Sequence, residues 1–466
     1  MIRTELGDKL FEKALKYFLV KNQYQNVNSW DFLDAIEKST GKNLKPLFDQ
    51  YVFRGGHPDF KISFSWDNEN KLGILNVTQK QASSDDDYQN LFDLKIPVAF
   101  GVINKETNIP IFTTSYLRIN KKEQNFYFPL AQKPDFVSFD PDNNYLKTVE
   151  LDISLTELKN QLYYDTDIIN KIYAAEAIAK KNNLEALKIL TESLKNDTFW
   201  SVRAEVASQI GNIKLDQTVD VLLDGLKDSD SRVRKSIIDA LTSFATPQVF
   251  QAIYQIAKDG DPSYYTESKA ISTLGILAFK LKGEYIDKAI QLFDDVLKTR
   301  TGWNEIVRSG AITGLANLKD SSIALDKIID YTAVGTSEIL RRSTLKSLGD
   351  ISSMQKPEDV ERIIDILDDA SKDEYILTQR SLIAALGNIK SKRVIPILSK
   401  IRDKAIYGRI KNLADEAIHK ASDNLGSEKT INQIRDEVTS IKKENQKLKS
   451  RLEELEAKAK EKSKAE

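Results

Sequence analysis

Ser201-Val202-Arg203-Ala204-Glu205-Val206-Ala207-Ser208-Gln209-Ile210-Gly211 is echoed about thirty residues later by Arg232-Val233-Arg234-Lys235-Ser236-Ile237-Ile238-Asp239-Ala240-Leu241. The register returns at Val307-Arg308 to Leu315-Ala316, at Leu340-Arg341 to Leu348-Gly349 and, more loosely, at Thr378-Gln379 to Leu386-Gly387. Apolar residues four, five and eight positions after the opening Val or Leu mark one buried stripe of a helix. The closing positions Gly211, Thr242, Gly275, Ala316, Gly349, Gly387 and His419 lie 31 to 41 residues apart, a spacing that fits a two-helix solenoid of about eight repeats. A Gly or Ala nine positions after the opening residue is expected to permit a tight exit from the helix.

These units resemble HEAT repeats. Asp197 before Arg203 and Asp228 before Arg234 are similar to the acid and base ladder that ties neighbouring HEAT repeats together, and Asp261 keeps the acid without the arginine. One unit, closing at Ala316, is longer than its neighbours, and the extra length falls at 298–304 with Gly302 and Trp303. Trp303 is therefore a candidate contact for a partner, set against packing on the preceding unit. Pro396 should start or kink its helix.

Prolines crowd the first 150 residues, where Pro46, Pro58, Pro97, Pro110, Pro129, Pro134 and Pro141 fall, so a change of architecture is expected near 150. Leu6, Leu10, Phe11, Ala14, Leu15 and Phe18 have helical spacing, Asn28 or Ser29 can cap a second helix, and Gly41 can end it. From Phe60 the period becomes two: Phe60, Ile62, Phe64 and Trp66 alternate with polar residues, and 67–71 reads as a turn into a strand through Val77. Further strands are expected at 92–98, 109–113, 116–119 and 126–128, together a small β-sandwich.

Several motifs of this region carry a second resemblance: Trp30-Asp31-Phe32, Thr40-Gly41-Lys42-Asn43-Leu44, Phe48-Asp49-Gln50-Tyr51 and Gly56-His57-Pro58, then Val77-Thr78-Gln79-Lys80-Gln81 and Val137-Ser138-Phe139-Asp140-Pro141-Asp142. In order and spacing, residues 1–148 resemble the end of the catalytic domain and the following β-sandwich of the zinc aminopeptidases typified by membrane alanyl aminopeptidase, the gluzincin kind. The resemblance implies zinc held by a helical HExxH and a later Glu. This chain holds only His57 and His419, neither in such a motif, and no cysteine. The residues that the resemblance would make catalytic fall before residue 1. No catalytic residue, metal ligand or cofactor is assigned, zinc entering only with a separately supplied catalytic half. His57 and His419 are expected to be structural or solvent-exposed.

From 427 to 466 there is no Gly, Pro or aromatic residue. Ile431, Val438, Asn445, Leu452 and Ala459 fit heptad position a, and Ile434, Ile441, Leu448 and Leu455 fit position d. A single core Asn favours a parallel dimer. Glu437 with Lys442, Glu444 with Lys449 and Arg451 with Glu456 would match opposite charges across it. The chain is thus expected to be mainly α with a small β domain: a helical segment at 1–55, a β-sandwich at 56–148, an α-solenoid of HEAT-like repeats at 149–426 and a C-terminal coiled coil at 427–462.

Sixty-eight Lys and Arg against 69 Asp and Glu leave a formal net charge of -1, so no global field draws the chain to nucleic acid or anionic membrane. The absence of cysteine and of any long apolar run fits a cytoplasmic chain. The expected function is a non-catalytic scaffold of aminopeptidase descent, binding a protein or peptide on its solenoid and itself through the coiled coil. The alternatives are the C-terminal part of a zinc aminopeptidase whose catalytic half lies elsewhere, and a nucleic-acid-binding solenoid.

Overall fold

The computed structural model describes residues 1–423; the heptad segment and its expected dimer contacts lie outside the described residues. Two compact units divide the chain, Met1–Ser243 and Phe244 onward.

The first unit opens with helices Ile2–Leu6, Asp8–Lys21, Ser29–Thr40 and Lys45–Tyr51. Gly7, at φ 73°, breaks what the spacing reads as one helix into two. Asn28 caps the third, its side chain accepting from the Trp30 and Asp31 amides while Asp31 accepts from the Asn28 amide, and Gly41 closes it in the left-handed region. Leu6, Ala14, Leu33, Ile36, Leu44 and Phe48 form the core of this segment.

Seven strands follow: β1 Asp59–Asp67, β2 Leu72–Gln79, β3 Leu94–Ile103, β4 Pro110–Ile119, β5 Glu123–Pro129, β6 Phe136–Phe139 and β7 Thr148–Asp152. They form a four-stranded sheet in the order β5-β2-β1-β7 and a three-stranded sheet in the order β4-β3-β6. The expected hairpin is β1–β2, with Ile62 opposite Val77. Two expected strands are the single strand β4, and β7, which pairs parallel to β1, has no counterpart in the sequence reading. Phe60 against Phe139 and Phe100 against Phe128, at 5.5 and 4.7 Å between ring centres, fill the space between the sheets.

Three helix pairs complete this unit: 155–164 with 168–180, 184–196 with 200–210, and 217–225 with 231–241. The expected ladder is present. Lys171 meets Asp197 at 2.7 Å; Arg203 donates to the Asp197 carbonyl and, through two nitrogens, to the Asp228 carboxylate; Arg234 donates to the Asp228 carbonyl. Arg203 and Asp228 are nearly buried, so the forked geometry ties consecutive pairs with little competition from water.

The second unit contains the pairs 247–259 with 264–281, 284–299 with 306–316, 322–329 with 338–351, 357–370 with 376–386, and 394–404 with 408–423. Arg341 repeats the ladder role, reaching the Thr332 carbonyl and the Asp373 carboxylate. Pro396 lies in the first turn of its helix, where its missing N–H leaves no hydrogen bond unmade.

The repeat glycines serve a different end from the tight exit expected of them. Gly211 and Gly387 keep right-handed backbone angles and Gly275 and Gly349 lie within helices. A Cβ on Gly349 would lie 2.5 Å from the Ala385 backbone, and one on Gly211 would lie 2.7 Å from the Ala240 Cβ. Glycine is needed there because the second helix of the next pair crosses at backbone distance.

Candidate functional site

Among the described residues no group of three or more His, Cys, Asp and Glu could hold a metal ion. His57 is exposed on the turn between Gly56 and Pro58, and His419 is exposed on the helix at 408–423. No described helix is long and apolar enough to cross a membrane. Trp303 stands 57% exposed on a short 3-10 turn, its ring edge-on to the exposed Tyr265 at 6.3 Å, and the next two residues, Asn304 and Glu305, both have positive φ. Glu305 is held there by Arg308 at 3.1 Å. The extra length at 298–304 thus projects an aromatic side chain on a braced turn.

A cleft of about 620 Å³ lies on the outer face of the three-stranded sheet in the first unit. Strand alternation explains its floor. Leu94, Ile96, Val98 and Phe100 of β3 point into the sandwich, which leaves Pro97 and Ala99 outward beside Tyr116 and Thr114 of β4 and Ser138 of β6. Small side chains in the middle and larger ones beside them make the surface concave. Glu5 and Tyr145 close one wall, the tyrosine hydroxyl donating to the Glu5 carboxylate, and Asp142 and Asp165 stand along the rest.

Two polar atoms of this cleft lack a partner. Ser138 Oγ and Asp165 Oδ2 are buried with no hydrogen bond, although Asp165 Oδ1 accepts from the Asp167 amide at 2.9 Å. Burial pushes the Asp165 carboxyl up to about 6, against the opposing pull of the Asp167 amide and the nearby Ser138 hydroxyl. Sequence reasoning misses this residue because Asp165-Thr166-Asp167 ahead of a helix reads as ordinary capping. Asp167 indeed caps, accepting from the Asn170 amide.

The raised value fixes a sign. The unfolded carboxyl titrates near about 3.9, so between that pH and about 6 the folded state holds the extra proton, and stability falls as pH rises through the interval. Asp165→Asn keeps the acceptor for the Asp167 amide and cannot ionise. It is expected to stabilise the protein by about 2 kcal/mol at pH 7.5 and by almost nothing at pH 4, read from paired melts. Equal melting of variant and parent at pH 7.5 would mean that water reaches the carboxylate.

A second surface lies on the N-terminal helices. Tyr17, Leu19, Val20, Tyr24, Val27, Trp30, Val52 and Phe53 are all exposed, Val20 at 70% and Tyr24 at 98%. Trp30 and Phe53 stack at 4.5 Å and both remain exposed. Eight large apolar side chains uncovered within residues 17–53 exceed the scattered exposure of ordinary surfaces.

The peptidase family M1 domain matches residues 1–51, and HEAT repeats match at 155–241, 187–275 and 219–315. Tricorn protease-interacting factor F2 of Thermoplasma volcanium is 22% identical over 267 residues, covering 56% of this chain and 27% of that protein. Aminopeptidase M1-A of Oryza sativa is 24% identical over 282 residues, covering 56% and 28%. The crystal structure of Legionella pneumophila aminopeptidase A shares the fold at a TM-score of 0.56 and 15% identity, over 90% of this chain and 55% of that one. The chain spans little more than a quarter of the length of these two curated relatives. The chain is thus similar to the C-terminal part of an M1-type aminopeptidase joined to HEAT repeats.

Proposed function

We propose that this chain is a non-catalytic, protein-binding portion of aminopeptidase descent, which docks an HExxH-bearing catalytic portion on residues 17–53 and binds protein or peptide on its helical repeats. The observation that carries the reading is the density of exposed large apolar side chains on the N-terminal helices, eight within residues 17–53. In a family whose members are several times longer than the matched region, such a surface is best explained as the seat of the part that supplies zinc chemistry. It favours the split or separately supplied aminopeptidase over a free-standing scaffold, because a scaffold has no need to leave Trp30 and Phe53 in water. That one relative is named for interacting with tricorn protease supports a protein-binding role for the repeats. Pairing of two copies through 427–462 and a contact at Trp303 belong to the same proposal and rest on the sequence alone.

Co-expression with a separate HExxH-bearing aminopeptidase catalytic portion tests it. The expected result is a stoichiometric complex that hydrolyses an aminoacyl nitroanilide, whereas this chain alone binds no zinc and turns nothing over. Val20→Asp and Tyr24→Asp should abolish the complex without altering the melting of this chain, since these side chains are 70% and 98% exposed. Turnover by the chain alone with stoichiometric zinc, or a complex indifferent to both variants, would overturn the reading.

A further inference from the structure

In the second unit the second helices of the last three pairs, at 338–351, 376–386 and 408–423, line a groove of about 520 Å³. The repeat register places corresponding residues side by side across it: Arg342 beside Arg380, Lys346 beside Ala384 and Glu416, Asn388 beside Lys420. Four cations therefore share one groove with a single acid, Glu416, in a chain whose net charge is only -1.

Two of the four are already engaged. Arg342 lies 2.8 Å from Glu338, and Lys420 donates to Asn388, which in turn donates to Asp350. Lys346 and Arg380 are exposed and have no acidic partner among the described residues. Between the charges the groove is apolar, with Leu413, Ala384 and Ala417 along it. The Ala417 Cβ comes within 3.2 Å of where a Cβ on Gly387 would stand, which keeps the wall low.

The charge does not continue along the array. At the matching positions the helices 264–281 and 306–316 of the same unit carry Ser268, Ser272, Ser309 and Thr313, all uncharged. A polyphosphate backbone needs a cationic track that follows it for many residues. A patch confined to three helices suits a short ligand with a few carboxylates and an apolar centre.

We propose that this groove binds an acidic segment of a partner protein, with carboxylates on Lys346 and Arg380 and an aliphatic side chain between them on Leu413, Ala384 and Ala417. Packed helices stand about 8–10 Å apart, so an extended chain advancing about 3.3 Å per residue spans neighbouring helices in about three residues. The ligand pattern is thus two acids about three positions apart around one Leu, Ile or Val. The proposal deepens the reading of the repeats as a protein-binding surface and is independent of docking on residues 17–53.

The test uses the full chain and a fluorescein-labelled peptide, Gly-Glu-Glu-Leu-Glu-Glu-Gly, with anisotropy read at about 50 mM salt. Saturable binding is expected that weakens about tenfold when Lys346→Glu and Arg380→Glu are combined, and again as salt is raised. Replacing the peptide's Leu by Gly should also weaken it. Melting of the double variant should match the parent, because neither side chain has an internal partner to lose. Absence of binding, binding unaffected by the double variant, equal binding of a Lys-substituted peptide, or tighter binding of a single-stranded oligonucleotide would each overturn the proposal. Assembly with a catalytic portion should be unchanged by the double variant, so the two readings can fail separately.

Discussion

Gly275→Ala is expected to cost about 3 kcal/mol or more in denaturant unfolding, among the largest effects of a single methyl group in this chain. A Cβ at that position would stand 2.1 Å from the Gly314 carbonyl oxygen and 2.8 Å from its carbon. The helices 264–281 and 306–316 touch backbone to backbone there, so no side chain can rotate out of the way. Relief requires the helices to separate, and the close approach extends along the crossing: a Cβ on Gly310 would meet the Ser268 backbone at 2.8 Å, and one on Gly314 would meet the Ile271 carbonyl oxygen at 3.1 Å. The crossing is close because all three positions lack side chains, and spreading it loosens packing along both helices.

Gly302→Ala provides the contrast. Nothing lies within 4 Å of a Cβ there and the backbone is extended, so the change should fall within about 0.5 kcal/mol. Urea midpoints of the two variants at equal slopes decide the matter. A Gly275→Ala protein as stable as Gly302→Ala would mean that the helices separate freely.

The same glycines mark the boundary of what is legible in the sequence. The stripe of Val202, Val206, Ala207 and Ile210 announces a helix and the face it buries, and its return down the chain announces the array. What packs against that face is not encoded in the period. Gly275 and Gly349 therefore read as helix ends when they are helix crossings. The charge ladder is legible because it is part of the repeat: Arg203 and Asp228 recur at fixed offsets, and their forked contact follows from that register.

Nonlocal features escape for the same reason. The strand Thr148–Asp152 is five residues long and acquires its place only by pairing with β1, some ninety positions earlier. Asp165 reads as a turn residue; its unsatisfied oxygen exists because packing beside β6 buries it, which nothing in the local sequence encodes. The exposed face at 17–53 is hidden in the opposite sense. Leu19, Val20 and Trp30 are apolar residues whose exposure the helical spacing does not announce, and the fold leaves them 65%, 70% and 53% exposed.

Lys147→Met should destabilise the first unit by about 3–5 kcal/mol, because it strands a carboxylate in the interior. Lys147 and Asp140 are paired at 2.6 Å with side chains only 1% and 0% exposed. The lysine also donates to the Asn143 side chain and the Tyr145 carbonyl, and Asp140 accepts from the Tyr145 amide and the Asn144 side chain. This network holds a loop in which Asp140, Asp142 and Asn143 all adopt positive φ, a conformation that Asp and Asn tolerate better than most residues. Methionine preserves most of the stem volume, so the loss measures charge rather than a cavity. The discriminating variant adds Asp140→Asn. If the stranded charge dominates, the double variant should recover a large part of the stability, since an amide can still accept from Tyr145 and needs no cation. If instead the lysine's contacts with Asn143 and Tyr145 dominate, the double variant will be no better than the single one. The first outcome is expected because hydrogen bonds to neutral partners contribute about 1 kcal/mol each, less than an unpaired buried carboxylate costs.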